Sequence, residues 1–488
     1  MTQINLKIIK NFFLFWIIAI IPILMILSFN IENTYAFYIP NYGPDFEFSS
    51  NSKLSKLSYW RPFTDSALKD ELNFGTDGDL PIPSQGFLNS SDYKIFWFIH
   101  ITDLQSCWYN DVFLDYVKYF LNTTVPLIKP IFIVNTGDLV DSDYSKFFSR
   151  VSGQRKSEWE IYNQTLTENG INHTNYFDIT GNHDVYNDIF LDYYLNYSIS
   201  GSYFKTDQYV MNLNFSWGLY SFYFLSTPDD YGLEFPYVMG GFLSKNELGW
   251  FENKLQKFPN SNLSIALGHH PPFEIFSELS PKGKTFIQLL TSNSFDLYLC
   301  GHGHENTYQN IRGVAAIETR QFDRDQGGYK IIAVDNDGIS TSFQKGLQFP
   351  IGIITNPIDY HYVNKNNEEK LFNVNKIRAL VWDPLGINSV YWRADGNQTW
   401  NSMTNIEGPL YQADFMENLK DGKTHKIEIQ INGNSGIKYE YIIYRKFAFD
   451  FFGWNELIPI FIAAFIGIVF VLPITKFILR RKNPEKYG

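Results

Sequence analysis

Five of the chain's nine histidines lie in three glycine-led stretches: GNHD at 181–184, GHHP at 268–271 and GHGH at 301–304. Two further stretches bring carboxylates: HITD ends in Asp103, and GDLVD holds Asp138 and Asp141. With the amide oxygen of Asn182, these residues make a mixed donor set. Such a set suits Mn, Fe or Zn better than Ca or Mg, which prefer oxygen alone. There are donors enough for two divalent metals, with Asp138 placed to bridge them. Two metals about 3.5–4 Å apart generate a hydroxide and clamp both oxygens of an in-line phosphoryl displacement. Singly, each stretch is weak, since a lone GD is a turn and a lone histidine on an apolar strand is usually a satisfied core residue. In order along one chain, they form a joint signal.

The segments that precede these stretches must position them. YKIFWFIHITD (93–103) and PIFIVNTGD (130–138) are apolar runs ending in polar residues, which predicts buried strands. NYFDITGNHD (175–184), NLSIALGHH and FDLYLCGHGH read the same way. DVFLDYVKYFL (111–121), KSEWEIYNQTLTEN (156–169) and SKNELGWFENKLQKF have helical spacing, the last with a candidate cap at Ser244. Strands alternating with helices predict an α/β layered domain. In open α/β sheets the carboxyl ends of the strands line the ligand crevice, so five donor-bearing tips can converge. His100 lies three residues before Asp103 in its strand and points to the opposite face, so it reads as a buried strand residue.

After residue 345 the texture changes to short alternating segments divided by Gly, Asn and Pro, which predicts a small β-sandwich of about 95 residues. Residues 37–92 show no clear period and read as a lead-in of low order. Both ends are apolar. Phe12–Phe29, behind Lys7 and Lys10, reads as a signal peptide or signal anchor, with a candidate cleavage site near Ala36. Leu457–Thr475 has no charge and is long enough to span a bilayer; Lys476, Arg480, Arg481 and Lys482 follow it and place the tail in the cytoplasm. The stretch between would then face away from the cytoplasm. Sequons at Asn89, Asn122, Asn163, Asn172, Asn196, Asn214, Asn262 and Asn397 suit that topology. The net charge of −11, with no interior basic run, argues against a nucleic-acid partner. Cys107 and Cys300, the chain's two cysteines, both flank donor stretches. They read as a disulfide across the site, as a replacement thiolate ligand from Cys107, or as ordinary buried thiols.

The series D…GD…GNHD…GHHP…GHGH resembles the calcineurin-like metallophosphoesterase superfamily over roughly residues 93–345. EWEIYNQTL, DITGNHDVYN, LYLCGHGHENT, ITNP and IRALVWDPLGINSVYWRADG extend the resemblance to the transmembrane protein 62 family. The resemblance implies a four-layer αββα sandwich, then an immunoglobulin-like β-sandwich and a C-terminal transmembrane helix. The expected organisation is a signal peptide or anchor over 1–36, a lead-in over 37–92 and the phosphoesterase domain over 93–345. An immunoglobulin-like domain over 346–448, a transmembrane helix over 455–479 and a cytoplasmic tail over 480–488 complete it.

The family pattern implies that Asp103, Asp138 and His304 hold a first metal. It gives Asp138, Asn182, His269 and His302 to a second. His183 would be the general acid, oriented by Asp184, with Asp141 as an outer partner or cap. His270 reads as structural or substrate-facing. The expected activity is hydrolysis of a phosphomonoester or phosphodiester by metal-bound hydroxide, in a membrane-anchored protein. The first family motif is normally Asp-x-His, but here Gln105 stands in the histidine's place. A neutral amide oxygen binds Zn or Fe more weakly than imidazole does. The first site would then be weak, and a non-catalytic binding protein with the same fold is the competing expectation.

Overall fold

The computed structural model describes residues 76–81, 83–107, 111–146, 149–228, 240–293, 295–363 and 375–445. The N-terminal segment 1–36, most of the lead-in, the helix expected at 455–479 and the tail 480–488 lie outside them. Among the described residues, no helix is long and apolar enough to cross a membrane.

The strand Lys94–Ile101 is buried at every position but its first, which explains its continuous apolar sequence. It pairs in parallel with Ile133–Asn135, which pairs in parallel with Tyr176–Asp178. Its other edge pairs antiparallel with Tyr329–Asp335, followed by Gly338–Gln344. A second sheet runs Thr76–Asp79, Tyr209–Phe215, Gly218–Phe224, Leu263–Leu267, Leu297–Cys300, Val314–Glu318 and Tyr308–Ile311. Its middle neighbours are parallel and therefore need crossovers. The helices Lys245–Lys257 and Phe286–Ser292 supply two of them. Ser244 with Glu247, and Thr285 with Gln288, form capping boxes that satisfy the first free N–H groups of these helices.

The facing sides of the two sheets enclose an aromatic core. Phe222 packs edge-on against Phe98 and Phe132, with ring centroids 5.5 and 5.1 Å apart. Helices cover both outer faces, Lys156–Glu168 on the first sheet and Lys245–Lys257 with Phe286–Ser292 on the second. The layers are helix, sheet, sheet, helix, as expected. The lead-in reading needs correction at its end, because Thr76–Asp79 adds an edge to the second sheet and Phe87–Asn89 pairs with Lys94–Ile101.

The C-terminal part is all-β, as expected. Its seven strands are hydrogen-bonded along one antiparallel path, from Ile351–Asn356 through Lys376–Trp382, Leu410–Asp414, Asn401–Glu407, Ile387–Ala394 and Thr424–Gly433 to Ile437–Arg445. The path forms a barrel-like all-β sheet whose two halves join through Asn401–Glu407 and share a core that includes Ala379, Val390, Trp392, Ile427 and Ile429. Register shifts lie between Asn405 and Glu407 and between Ile387 and Ser389, where such irregularities bend a strand. It packs on the first sheet through Trp97 and Trp382, whose rings meet edge-on at 5.8 Å. Buried Arg378 donates from Nε and Nη2 to Asp335, both at 2.8 Å, and Thr355 Oγ1 donates to the same carboxylate at 2.8 Å.

Candidate metal centre

All the sequence-predicted donors follow strands whose carboxyl ends point to one side. Asp103 follows Lys94–Ile101, Asp138 follows Ile133–Asn135, and Asn182 follows Tyr176–Asp178. His269 follows Leu263–Leu267, and His302 and His304 follow Leu297–Cys300. Their backbone is unusual. Asp103, Gln105, Asp138, His302 and His304 all have φ between 45° and 76°, the left-handed region that non-glycine residues rarely adopt. Such strain, on the order of 1–3 kcal/mol per residue, persists only where the surroundings impose it, and it clusters at functional sites. Glycines allow the close approach. A Cβ on Gly181 would stand 2.2 Å from Asp138 Oδ1, and one on Gly301 would stand 2.3 Å from Asp103 Oδ2.

Three donor atoms form a tight triangle. Asn182 Oδ1 lies 3.0 Å from both His269 Nε2 and His302 Nδ1, and those two nitrogens are 3.3 Å apart. Asn182 Nδ2 donates to Tyr186 Oη at 2.8 Å, which aims the amide oxygen inward. His269 Nδ1 donates to the Thr136 carbonyl at 2.9 Å, which leaves Nε2 facing the centre. Asp138 Oδ1 is 3.4 Å from His269 Nε2. Ligand atoms of Asp103, Asp138 and His269 all lie within 4.8 Å of one another, as do those of His269, His270 and His302. His270 Nδ1 shares a hydrogen bond with Thr227 Oγ1 at 3.0 Å, and its ring centroid is 4.4 Å from that of His302.

The electrostatics show what this crowding costs without a cation. Burial would raise the Asp138 carboxyl, but His269 and His183 hold it well below the usual carboxylate range. Burial would lower His269, but Asp138 and Asp103 drive it up to about 9. Burial and the neighbouring His269 push His302 down to about 4. Asp103 is fully buried, and its Oδ1 accepts no hydrogen bond although His304 Nε2 lies 3.2 Å away. A buried carboxylate oxygen without a donor, beside inward-facing oxygen and nitrogen atoms, is the environment a divalent cation satisfies. The residues present therefore fit a metal.

His183 sits at the edge of this cluster. Its backbone N–H donates to Asp138 Oδ1 at 2.9 Å, its Nδ1 donates to the Asp141 carbonyl, and its Nε2 is 3.9 Å from Asp138 Oδ2. The expectation that Asp184 orients this ring is corrected. The buried Asp184 carboxylate accepts from the backbone N–H groups of Gly181, Leu139 and Val140 at 2.7, 2.9 and 3.1 Å. It ties the two donor loops together, while Asp141 holds His183. Burial and the Asp138 charge push the Asp184 carboxyl well above its ordinary value.

Gln105 departs from a simple ligand role, because its Oε1 accepts from Gln321 Nε2 at 2.7 Å. His100 is buried as expected, with its two ring nitrogens on Thr136 Oγ1 and Thr319 Oγ1 at 2.9 and 2.8 Å. Cys107 and Cys300 are buried thiols, and neither is in a disulfide. Sequence reading missed Thr136, Gln321 and Glu274, whose Oε2 lies 3.5 Å from His302 Nε2. Thr136, directly before the GD pair, acts through its carbonyl, which no side-chain pattern reveals. Glu274 sits on a turn beyond the strand tip.

Residues 96–306 match the family model described as calcineurin-like phosphoesterase. Over 371 residues the chain is 28% identical to transmembrane protein 62 of Mus musculus, an alignment covering 73% of this chain and 55% of that protein. It is 24% identical over 232 residues to an Arabidopsis thaliana protein named as a metallophosphoesterase, covering 45% of this chain and 31% of that one. The chain thus spans about half the length of the first relative and less than a third of the second. Among solved structures, one described as GAP50, the anchor in the inner membrane complex of Plasmodium, is 17% identical and covers 52% of this chain and 85% of its own. Its TM-score is 0.33. Residues 96–306 thus match the calcineurin-like phosphoesterase family model, in a chain similar to transmembrane protein 62.

Proposed function

We propose that this protein is a membrane-anchored hydrolase of phosphate esters that uses two divalent metal ions. The observation that carries the reading is the triangle of Asn182, His269 and His302 beside the buried carboxylates of Asp138 and Asp103. Asn182, His269 and His302 would hold one ion, Asp103 and His304 the other, and Asp138 would lie between them. Such ions supply Lewis-acid activation of water and neutralise charge on the phosphoryl oxygens.

The chain's own residues supply the rest. With Nδ1–H on the Asp141 carbonyl, Nε2 is the nitrogen left to face the centre, and as an imidazolium His183 would give its Nε2 proton to the departing oxygen. The Asp184 bridge between the 137–140 and 181–183 loops keeps Asp138 and Asn182 in register. Thr136 keeps His269 in one tautomer, as partners of metal-binding histidines do.

The apolar runs at 12–29 and 457–475 support anchoring with the domain outside the cytoplasm. The exposure of sequon residues Asn89, Asn122, Asn172, Asn196, Asn214 and Asn397 is compatible with glycans on that side. A second reading, a binding protein that keeps the fold, is favoured by one contact, the Gln105 oxygen taken up by Gln321.

Metal content of the purified full chain by mass spectrometry, with hydrolysis of bis-p-nitrophenyl phosphate, separates the two. Two bound ions and turnover lost in His269→Ala support the enzyme. One ion or none, with no turnover in Mn, Fe or Zn, supports the binding protein. A glycosidase-sensitive mobility shift tests the topology.

A further inference from the structure

Glu274 reaches the centre from a turn and not from a strand tip. It ends the short turn Pro272–Glu274, where its N–H donates to the Pro271 carbonyl at 2.9 Å. The next residues, Ile275–Ser277, are fixed by parallel pairing with Gly241–Leu243. This anchoring sets Glu274 Oε2 3.5 Å from His302 Nε2, the ring nitrogen turned away from Asn182 and His269. The carboxylate is 37% exposed, so it faces both the ring and the solvent approach. Glu318 adds a second negative charge nearby, held by Thr307 Oγ1 at 2.8 Å. Arg324, which acts on His304, is exposed, and solvent screens it. Phe273, beside Glu274 on the same turn, is 60% exposed and presents an apolar ring there.

We infer that Glu274 makes this site select phosphodiesters over phosphomonoesters. The inference rests on reading the centre as a phosphoesterase. A diester carries one negative charge at neutral pH, whereas a monoester carries close to two. The monoester's additional charge would face Glu274 across the His302 ring. At a separation of roughly 7 Å and an effective dielectric of about 40–80, one added charge costs about three- to eightfold in binding. A diester places an organic group where that charge would be and escapes the repulsion.

The test uses the full chain loaded with Mn, the wild type beside Glu274→Gln, and p-nitrophenyl phosphate beside bis-p-nitrophenyl phosphate. The leaving group is the same in both esters, so the ratio of their kcat/KM values reads charge. The wild type is expected to favour the diester. Glu274→Gln should raise kcat/KM for the monoester three- to eightfold relative to the diester and tighten binding of inorganic phosphate over dimethyl phosphate by the same factor, with metal content unchanged. A metal-loaded variant whose ester ratio and phosphate preference both match the wild type overturns the role of Glu274 and leaves the phosphoesterase reading intact. If neither ester is turned over, the calorimetric preference for phosphate over dimethyl phosphate decides on the same terms. A chain that takes up no metal overturns both.

Discussion

Removing the Asp184 carboxylate distinguishes a residue that orients His183 from one that holds two loops together. Asp184 is fully buried and accepts three backbone N–H groups, from Gly181, Leu139 and Val140. Asp184→Ala leaves all three donors buried without an acceptor. At about 1–2 kcal/mol for each stranded donor, the expected loss is about 3–6 kcal/mol. Asp184→Asn keeps one oxygen for Leu139 and Val140 but sets an amide N–H against that of Gly181, for a loss of about 1–3 kcal/mol. Urea unfolding of the metal-free protein reads these values directly. Because Asp138 and Asn182 lie on the two loops so joined, metal content should fall in the same order, Ala below Asn below wild type. The reasoning fails if Asp184→Ala unfolds within about 1 kcal/mol of the wild type and keeps its metal while activity is lost, which is what a residue serving only the His183 ring would show.

Arg378→Met should cost about 3–5 kcal/mol, because it leaves the buried Asp335 carboxylate with Thr355 as its remaining donor; adding Asp335→Asn should recover part of that in the same unfolding assay. In Gly181→Ala the new Cβ would meet Asp138 Oδ1 and N at 2.2 and 2.3 Å, so bound metal should drop sharply by mass spectrometry even where the fold survives by circular dichroism. Gln105→His frees Gln321 and restores an imidazole, and it should raise metal occupancy; unchanged binding would mean that this side chain does not face the centre. His425 lies between Asp395 and Asp421, with ring nitrogens 2.7 and 2.9 Å from their oxygens. Burial opposes protonation there, but the two carboxylates raise the His425 pKa above its ordinary value. A raised folded-state pKa gives stability that is complete below the unfolded value of about 6.5 and is lost as pH rises through the folded one. The urea midpoint should therefore decline above that pH, and His425→Gln should flatten the decline.

The donor residues were legible because each followed an apolar run, and the burial of those runs was written in their composition. Lys94–Ile101 is apolar between Lys94 and His100 because both its faces are covered, and its tip delivers Asp103. His100 could be set aside from alternation alone, and the structure places it on two threonines. The two strands in 76–89 were missed because they are short edges without apolar alternation. The C-terminal strands were recognised, but their single path was not. Pairing order depends on register shifts that a hydrophobic pattern does not record.

Sequence by itself determined which chemistry the chain carries: the donor types, their order and the glycines that let backbone approach. Tertiary structure alone decided which groups serve which. It gave the Asp184 carboxylate to the backbone N–H groups of Leu139 and Val140, engaged the Gln105 oxygen with Gln321 and brought Glu274 to His302. The physical reason is reach. A strand tip fixes where a side chain starts, but hydrogen bonds and charge pairs form between atoms whose chain positions are tens to hundreds of residues apart. Those distances are set only when the layers close.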